Sequence, residues 1–115
     1  MIANVVGSST DKPGAYGFSS WKECWIKSAE RPWPANCAYA GCENSPSVGG
    51  HVYVQGQRQK PSIVPICTAC NLSRARDYDG GYSAPTRHVA VELEKPTGDM
   101  VDGHGFFAKR KTRFP

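Results

Sequence analysis

Four cysteines, arranged in two closely spaced pairs, are the reactive side chains that stand out in this sequence. Cys37 and Cys42 are separated by four residues, Cys67 and Cys70 by two, and twenty-four residues lie between the pairs. A zinc ion takes four thiolate ligands in a tetrahedron, and a short turn brings each pair of sulfur atoms to the ion from one side. The spacing therefore predicts a structural zinc site with all four cysteines as ligands.

Two disulfide bonds are the alternative use of these four residues. The sequence argues against them, because the chain has five cysteines and one would be left unpaired. Residues 1–7 also lack the basic and long apolar regions of a secretory signal, and no apolar run reaches transmembrane length. We therefore expect a protein of the reducing cytoplasm, where disulfides rarely persist, with no membrane partner.

Size and charge narrow the class of protein further. A chain of 115 residues predicts a single domain, small enough for a metal to be a useful staple. Its 12 glycines and 9 prolines predict short elements and much loop. Its 14 basic and 10 acidic residues give a net charge of +4, a mild bias toward polyanions such as DNA or RNA.

One helix is predicted before the cysteines. Ser20 and Glu23 have the spacing of a capping box, and Pro32 stops a helix over residues 21–30. One stripe of this helix contains Trp21, Cys24, Trp25, Ser28 and Ala29. Core packing is favoured over base stacking for its two tryptophans, because aromatic side chains supply much of the burial in a small core. Cys24 is interpreted as a small apolar core residue rather than a nucleophile.

A hairpin and a short helix are predicted around the second cysteine pair. Residues 50–55 alternate, with Val52 and Val54 on one side and His51 and Tyr53 on the other. Residues 60–66 return as a second strand, and the prolines within it predict an edge strand or an early break. A helix over residues 71–77 follows the second pair.

The C-terminal part combines a strand with a basic tail. Residues 87–94 alternate, with three apolar side chains on one face, which predicts a strand. The tail carries four cations, Lys109, Arg110, Lys111 and Arg113. Phosphate binding and a solubilising chain end are both consistent with this composition.

Each cysteine pair with its short turn is a knuckle, the first at residues 37–42 and the second at residues 67–70. The order of knuckle, hairpin, knuckle and helix resembles a treble-clef zinc finger. Residues 37–71 resemble the zinc-stapled HNH (ββα-metal) endonuclease module. Residues 66–71, Ile-Cys-Thr-Ala-Cys-Asn, match the family's motif at the start of its last helix. Residues 50–52, Gly-His-Val, occupy the place of the family's Asp-His strand. The resemblance covers about 35 of 115 residues.

The resemblance implies a mechanism and also shows where this sequence departs from it. In the family the strand histidine is the general base, and the Asp before it and the residue after the last Cys hold a divalent ion such as magnesium. His51 and Asn71 keep two of these positions, whereas Gly50 replaces the carboxylate and no Asn lies between Arg58 and Cys67. His51 is therefore a structural residue, a catalytic base or a metal ligand.

The prediction is a single α+β domain with a treble-clef, HNH-like ββα core at residues 37–80. Residues 1–36 add the N-terminal helix, and residues 81–115 add an extra C-terminal β-strand and the basic tail. The predicted function is non-catalytic nucleic-acid binding by the tail and by Arg58, Lys60, Arg74 and Arg76. An active endonuclease with an altered metal site and a protein-binding adaptor or inhibitor of a nucleic-acid enzyme are the alternatives. The sequence does not predict the oligomeric state.

Overall fold

A computed structural model describes residues 1–6, 12–57, 60–93 and 108–112, the last of these by its backbone alone. The strands are β1 (Ile2–Asn4), β2 (Val48–Val54), β3 (Ser62–Ile66), β4 (Ala90–Leu93) and β5 (Ala108–Thr112). The helices are α1 (Trp21–Ala29) and α2 (Thr68–Asn71), and two 3-10 turns span Pro13–Tyr16 and Arg74–Arg76. The sequence also allows a short strand to begin at residues 100–101, and these residues lie outside the described ranges.

The five strands form one antiparallel sheet in the order β1-β2-β3-β4-β5. Paired residues of neighbouring strands point to the same face of a sheet, and successive residues of one strand alternate. One face carries Ala3, His51, Tyr53, Ile63 and Val91. The opposite face carries Ile2, Val52, Val64 and Ile66, and it packs against the cysteines. The sheet thus separates the cysteine side from the α1 side.

The predicted helix α1 is confirmed, and its start follows the capping signal. The Ser20 side chain accepts a hydrogen bond from the Glu23 backbone N–H at 3.0 Å, and the Glu23 carboxylate accepts one from the Ser19 N–H at 2.8 Å. Cys24 and Trp25 are buried as predicted, against Ile63 and neighbouring residues on the α1 face of the sheet.

The second hairpin strand is not an edge strand, contrary to the sequence-based prediction. β3 lies between β2 and β4, and β4 pairs with it only at Ser62 and Ile63. The carbonyl of Pro65 accepts a hydrogen bond from Ala38 N–H at 2.8 Å, on the side away from β2. The N–H and C=O of one residue point to the same side of a strand. Because the Pro65 carbonyl points away from β2, its nitrogen does too, and β2 loses no hydrogen bond to the proline. A proline is therefore tolerated inside the sheet.

The helix predicted at residues 71–77 starts earlier and is much shorter. The Cys67 sulfur accepts a hydrogen bond from Cys70 N–H, so α2 begins at Thr68, inside the knuckle. It ends at Asn71, and the chain continues through the turn Arg74–Arg76. Tyr78 N–H then donates to the Asn4 carbonyl at 2.9 Å, which draws the chain alongside β1 instead of continuing the helix.

Two strands, rather than one, follow the cysteine core. The predicted strand at residues 87–94 is confirmed as the shorter β4, and the basic segment Ala108–Thr112 pairs with it as β5. The alternating pattern marks β4, whereas a run of lysine and arginine gives no such pattern for an edge strand. Basic residues are common at sheet edges, where they discourage pairing with other chains.

Candidate metal centre and neighbouring cleft

The two cysteine pairs meet on one side of the sheet. The sulfur atoms of Cys37, Cys42, Cys67 and Cys70 all lie within 4.8 Å of one another. The Cys42 and Cys67 sulfur atoms are 3.7 Å apart, close to the edge of about 3.8 Å expected for a tetrahedron with metal–sulfur distances of about 2.3 Å. All five cysteines are free thiols, and the four together are positioned to hold a metal ion.

Hydrogen bonds from the backbone and from one amide point at these sulfur atoms. Cys67 N–H donates to the Cys37 sulfur and Cys70 N–H to the Cys67 sulfur, each at 3.4 Å. The Asn44 side-chain amide donates to the Cys67 sulfur at 3.7 Å. Donors of this kind stabilise a thiolate and fix its direction, which is what a metal centre needs from the groups around its ligands.

The thiol pKa values follow from burial and from these donors. Burial raises the pKa of Cys67, but hydrogen bonds from Cys70 and from the Asn44 amide outweigh it and lower the pKa to about 7. Burial raises the pKa of Cys70 to about 12, with the neighbouring thiols acting in the same direction. A thiolate is the form that binds a metal, so binding here must release protons, and the affinity must rise with pH.

Two polar residues that the sequence analysis did not single out hold the two cysteine knuckles in place. Asn4 of β1 donates from its amide to the Cys70 carbonyl at 2.7 Å and accepts the Tyr39 hydroxyl at 2.7 Å. The Arg87 guanidinium donates to the carbonyl of Cys42 at 2.8 Å and to that of Tyr39 at 3.3 Å. These contacts span at least 35 residues of chain, so no local sequence pattern could reveal them.

His51 and Asn71, the two predicted catalytic positions, line one cleft of about 420 Å³. His51 lies on the α1 face of β2, where its ring meets Trp21 edge-on at a centroid distance of 4.8 Å. Asn71 ends α2 and is exposed. The cleft also contains Val5, Val48, Gly49 and Gly50. The structure therefore brings together the two residues that the HNH resemblance pairs.

Gly50 has no room for the carboxylate that this resemblance requires. A methyl group built on Gly50 would lie 2.4 Å from Cγ2 of Ile66 and 3.0 Å from Oδ1 of Asn71. Within the described ranges, the four cysteines are the only cluster of three or more His, Cys, Asp or Glu side chains that could hold a metal. The cleft has an imidazole and an amide but lacks the acidic ligand that magnesium prefers.

The predicted nucleic-acid-binding residues that the structure describes lie at three separate places in the fold. Arg74 and Arg76 lie in the turn after the metal centre, with the Arg76 guanidinium 4.4 Å from the centre of the Tyr39 ring.

Lys60 precedes β3, and its neighbour Pro61 accepts a hydrogen bond from Leu93 N–H. Lys109, Arg110 and Lys111 lie in β5, at the edge opposite β1. Arg58 and Arg113 lie outside the described residues.

Comparisons with known proteins give no match. Neither protein-family models, nor curated proteins, nor solved structures show significant similarity to this chain. Among the helices in the described part of the chain, none has the length and apolar character to cross a membrane.

Proposed function

We propose that this chain is a zinc-stapled nucleic-acid-binding module of treble-clef, HNH-like architecture that does not cleave its ligand. The observation that carries the binding proposal is the position of Arg74 and Arg76, on the turn that leaves the metal centre. Arg74 is exposed and Arg76 partly so, and within the described ranges neither forms an ion pair. Cations held next to a rigid centre and free of acidic partners suit phosphate binding.

Zinc fits the donor set better than other common ions. Four thiolates in a tetrahedral arrangement are typical of structural zinc sites, whereas magnesium and calcium prefer oxygen ligands. With all four positions filled by cysteine, the ion has no open position for water or substrate. Its role is therefore to fix the two knuckles, and with them the turn that carries Arg74 and Arg76.

The absence of cleavage follows from the cleft rather than from the zinc. A nuclease of the HNH type needs a base, a carboxylate-held divalent ion and an orienting group acting together, and groups that act as a unit lose most of their effect when one is missing. Ile66 and Asn71 occupy the space that a carboxylate at position 50 would need. His51 is thus left beside a cleft without an acidic metal ligand.

The shared cleft favours one alternative, an endonuclease with an altered metal site. His51 and Asn71 could hold a softer ion such as nickel without a carboxylate. Plasmid nicking in magnesium, manganese or nickel by the wild type, but not by His51→Ala, would favour this alternative over the proposal. We expect no nicking by either protein.

The binding proposal is tested by the salt dependence of affinity for a fluorescein-labelled oligonucleotide, measured by anisotropy. If about four phosphates are contacted, log affinity falls against log salt with a slope of roughly −3 to −4. Arg74→Gln should weaken binding to all sequences alike and make the slope shallower by about 1.

Lys27→Gln is the matched control, since it removes the same charge from an exposed position on α1. The Lys27 side chain is 65% exposed and lies 3.7 Å from Glu23, away from the metal centre. We expect its affinity and slope to equal those of the wild type. No binding at low salt, or binding indifferent to salt, would contradict the proposal and favour a protein-binding adaptor.

A further inference from the structure

Part of the α1 face of the sheet is covered by tyrosines instead of by the helix. α1 packs over Ile63, Val91 and Leu93 of β3 and β4. Tyr53 of β2 points to the same face beyond this contact, opposite the buried Ala3 of β1.

Two further rings extend this aromatic surface past β1. The Tyr53 and Tyr78 rings have centroids 5.4 Å apart, and the Tyr78 and Tyr82 rings 5.3 Å apart. All three tyrosines are partly exposed. A tyrosine that served only to cover Ala3 would not need two more rings beside it.

The row of rings continues in the other direction into the cleft. His51 lies two residues before Tyr53 on the same face of β2, and Trp21 meets the His51 ring at 4.8 Å. Trp21 is partly exposed, unlike the buried Trp25 of the same helix. Rings therefore follow one another from Trp21 at the start of α1, along β2 through His51 and Tyr53, to Tyr78 and Tyr82 beyond β1.

The cleft at the Trp21 end offers hydrogen bonds as well as a ring. Its volume of about 420 Å³ accommodates a nucleobase with its sugar, and its floor is the backbone of Gly49 and Gly50. The Asn71 amide carries both a donor and an acceptor, the pattern that pairs with the edge of an adenine. A second cavity of about 440 Å³, with Lys22, Ser19 and Ser20 on its wall, adjoins it across Trp21.

From these observations we infer that the ligand is a single-stranded nucleic acid. Its bases stack along the row Trp21, His51, Tyr53, Tyr78 and Tyr82, and one unstacked base enters the cleft beside Asn71. Stacking on partly exposed rings requires bases freed from a duplex, and it tolerates any sequence because every base has a π face. The inference rests on the proposed function and specifies its ligand.

The proposal is tested with labelled 12-nucleotide DNA and RNA strands and with duplexes of the same length, titrated into zinc-loaded protein. Single strands should bind about tenfold more tightly than duplexes and should quench tryptophan fluorescence. Quenching should disappear in Trp21→Phe and persist in Trp33→Phe, because Trp33 lies outside the row. The phenylalanine keeps an apolar ring in place, so both variants should fold.

Two variants on the binding surface and one control measure its contribution. Tyr82→Leu keeps apolar cover but removes the π face, and Asn71→Ala removes the amide; each should weaken single-strand binding about tenfold. Gln55→Ala removes an exposed amide at the far end of β2 and should leave affinity unchanged. Zinc content and circular dichroism confirm that each variant is folded.

Three results would overturn the inference. Equal affinity for single strands and duplexes, with no loss in Tyr82→Leu or Asn71→Ala, would show that binding is electrostatic only. Quenching that survives in Trp21→Phe would place the strand elsewhere. Both of these results leave the proposed function intact, whereas failure of every oligonucleotide to bind would contradict the proposed function as well.

Discussion

Gly50 lies in β2, and a side chain at this position would face Ile66 and Asn71. The resemblance to the HNH module matches this position to a metal-binding aspartate. The sequence shows that the carboxylate is missing, but it does not show that the space for a side chain is also filled. That space depends on Ile66, which lies on the neighbouring strand β3 and pairs with Val48, and on Asn71 at the end of α2. An aspartate at position 50 would therefore have to displace Ile66 and Asn71 before it could supply a metal ligand.

Gly50→Ala should lower the free energy of unfolding by about 1–3 kcal/mol, because the added methyl group overpacks against Ile66 at 2.4 Å. The measurement is urea denaturation of zinc-loaded protein. Gly50→Asp should cost more and should not produce nuclease activity, since even its Cβ would meet both Ile66 and Asn71.

Gly14→Ala is the control for this substitution. A methyl group at Gly14 meets nothing within 4 Å, so its effect on stability should be neutral or slightly favourable. Equal stability of Gly50→Ala and wild type would show that Ile66 and Asn71 move aside easily. A metal-binding side chain at position 50 would then be sterically possible.

At the scale of elements, the first knuckle is anchored to the loop before β4. The His88 ring nitrogen Nε2 lies 2.8 Å from the carbonyl of Asn36, the residue before the ligand Cys37. Burial lowers the pKa of His88 from its ordinary value, and the charges of Arg87 and Arg31 act in the same direction, while the Asn36 carbonyl opposes them. Neutral His88 donates its N–H to that carbonyl.

This shift predicts a pH dependence of stability. The unfolded chain takes up a proton on His88 as the pH falls through about 6.5, whereas the folded chain resists protonation, so the free energy of unfolding decreases. His88→Gln keeps a donor for Asn36 but does not titrate. Its stability, measured by thermal unfolding of zinc-loaded protein, should fall less than that of the wild type between about pH 7.5 and 6.

Because the other titrating groups are the same in both proteins, the difference between the two curves isolates His88. Parallel curves for wild type and His88→Gln would show that the ring is protonated as easily in the folded chain as in the unfolded one.

The elements with local signals were predictable from the sequence, and those held by distant contacts were not. Ser20 and Glu23 located the start of α1, and the two cysteine pairs located the metal centre. The early start of α2 is an exception, because its cause is local but unusual: the sulfur of Cys67 acts as the cap in place of the oxygen of a typical capping residue. The early end of α2 depends on Asn4, more than sixty residues away. The interior position of β3 depends on β4, which arrives from beyond the second knuckle.

At the scale of the whole molecule, one sheet separates two small clusters. α1 closes one side with Trp25 and Cys24, and the cysteine knuckles close the other with Tyr39 and Ile66. In a domain of this size a metal contributes a large share of the stability, because the site is not formed in the unfolded chain. Removal of the metal should therefore loosen the cysteine side of the sheet first, and with it the turn that carries Arg74 and Arg76.

X-ray absorption at the zinc edge, on protein purified without chelators, shows directly whether the four cysteines hold a zinc ion. We expect one zinc per chain with four sulfur neighbours at about 2.3 Å. Addition of a strong chelator should then abolish both this signal and nucleic-acid binding. Two results would contradict a zinc site made of the four thiolates. One is a folded protein without metal that carries two disulfides. The other is a zinc ion bound through nitrogen or oxygen in place of any of the four thiolates.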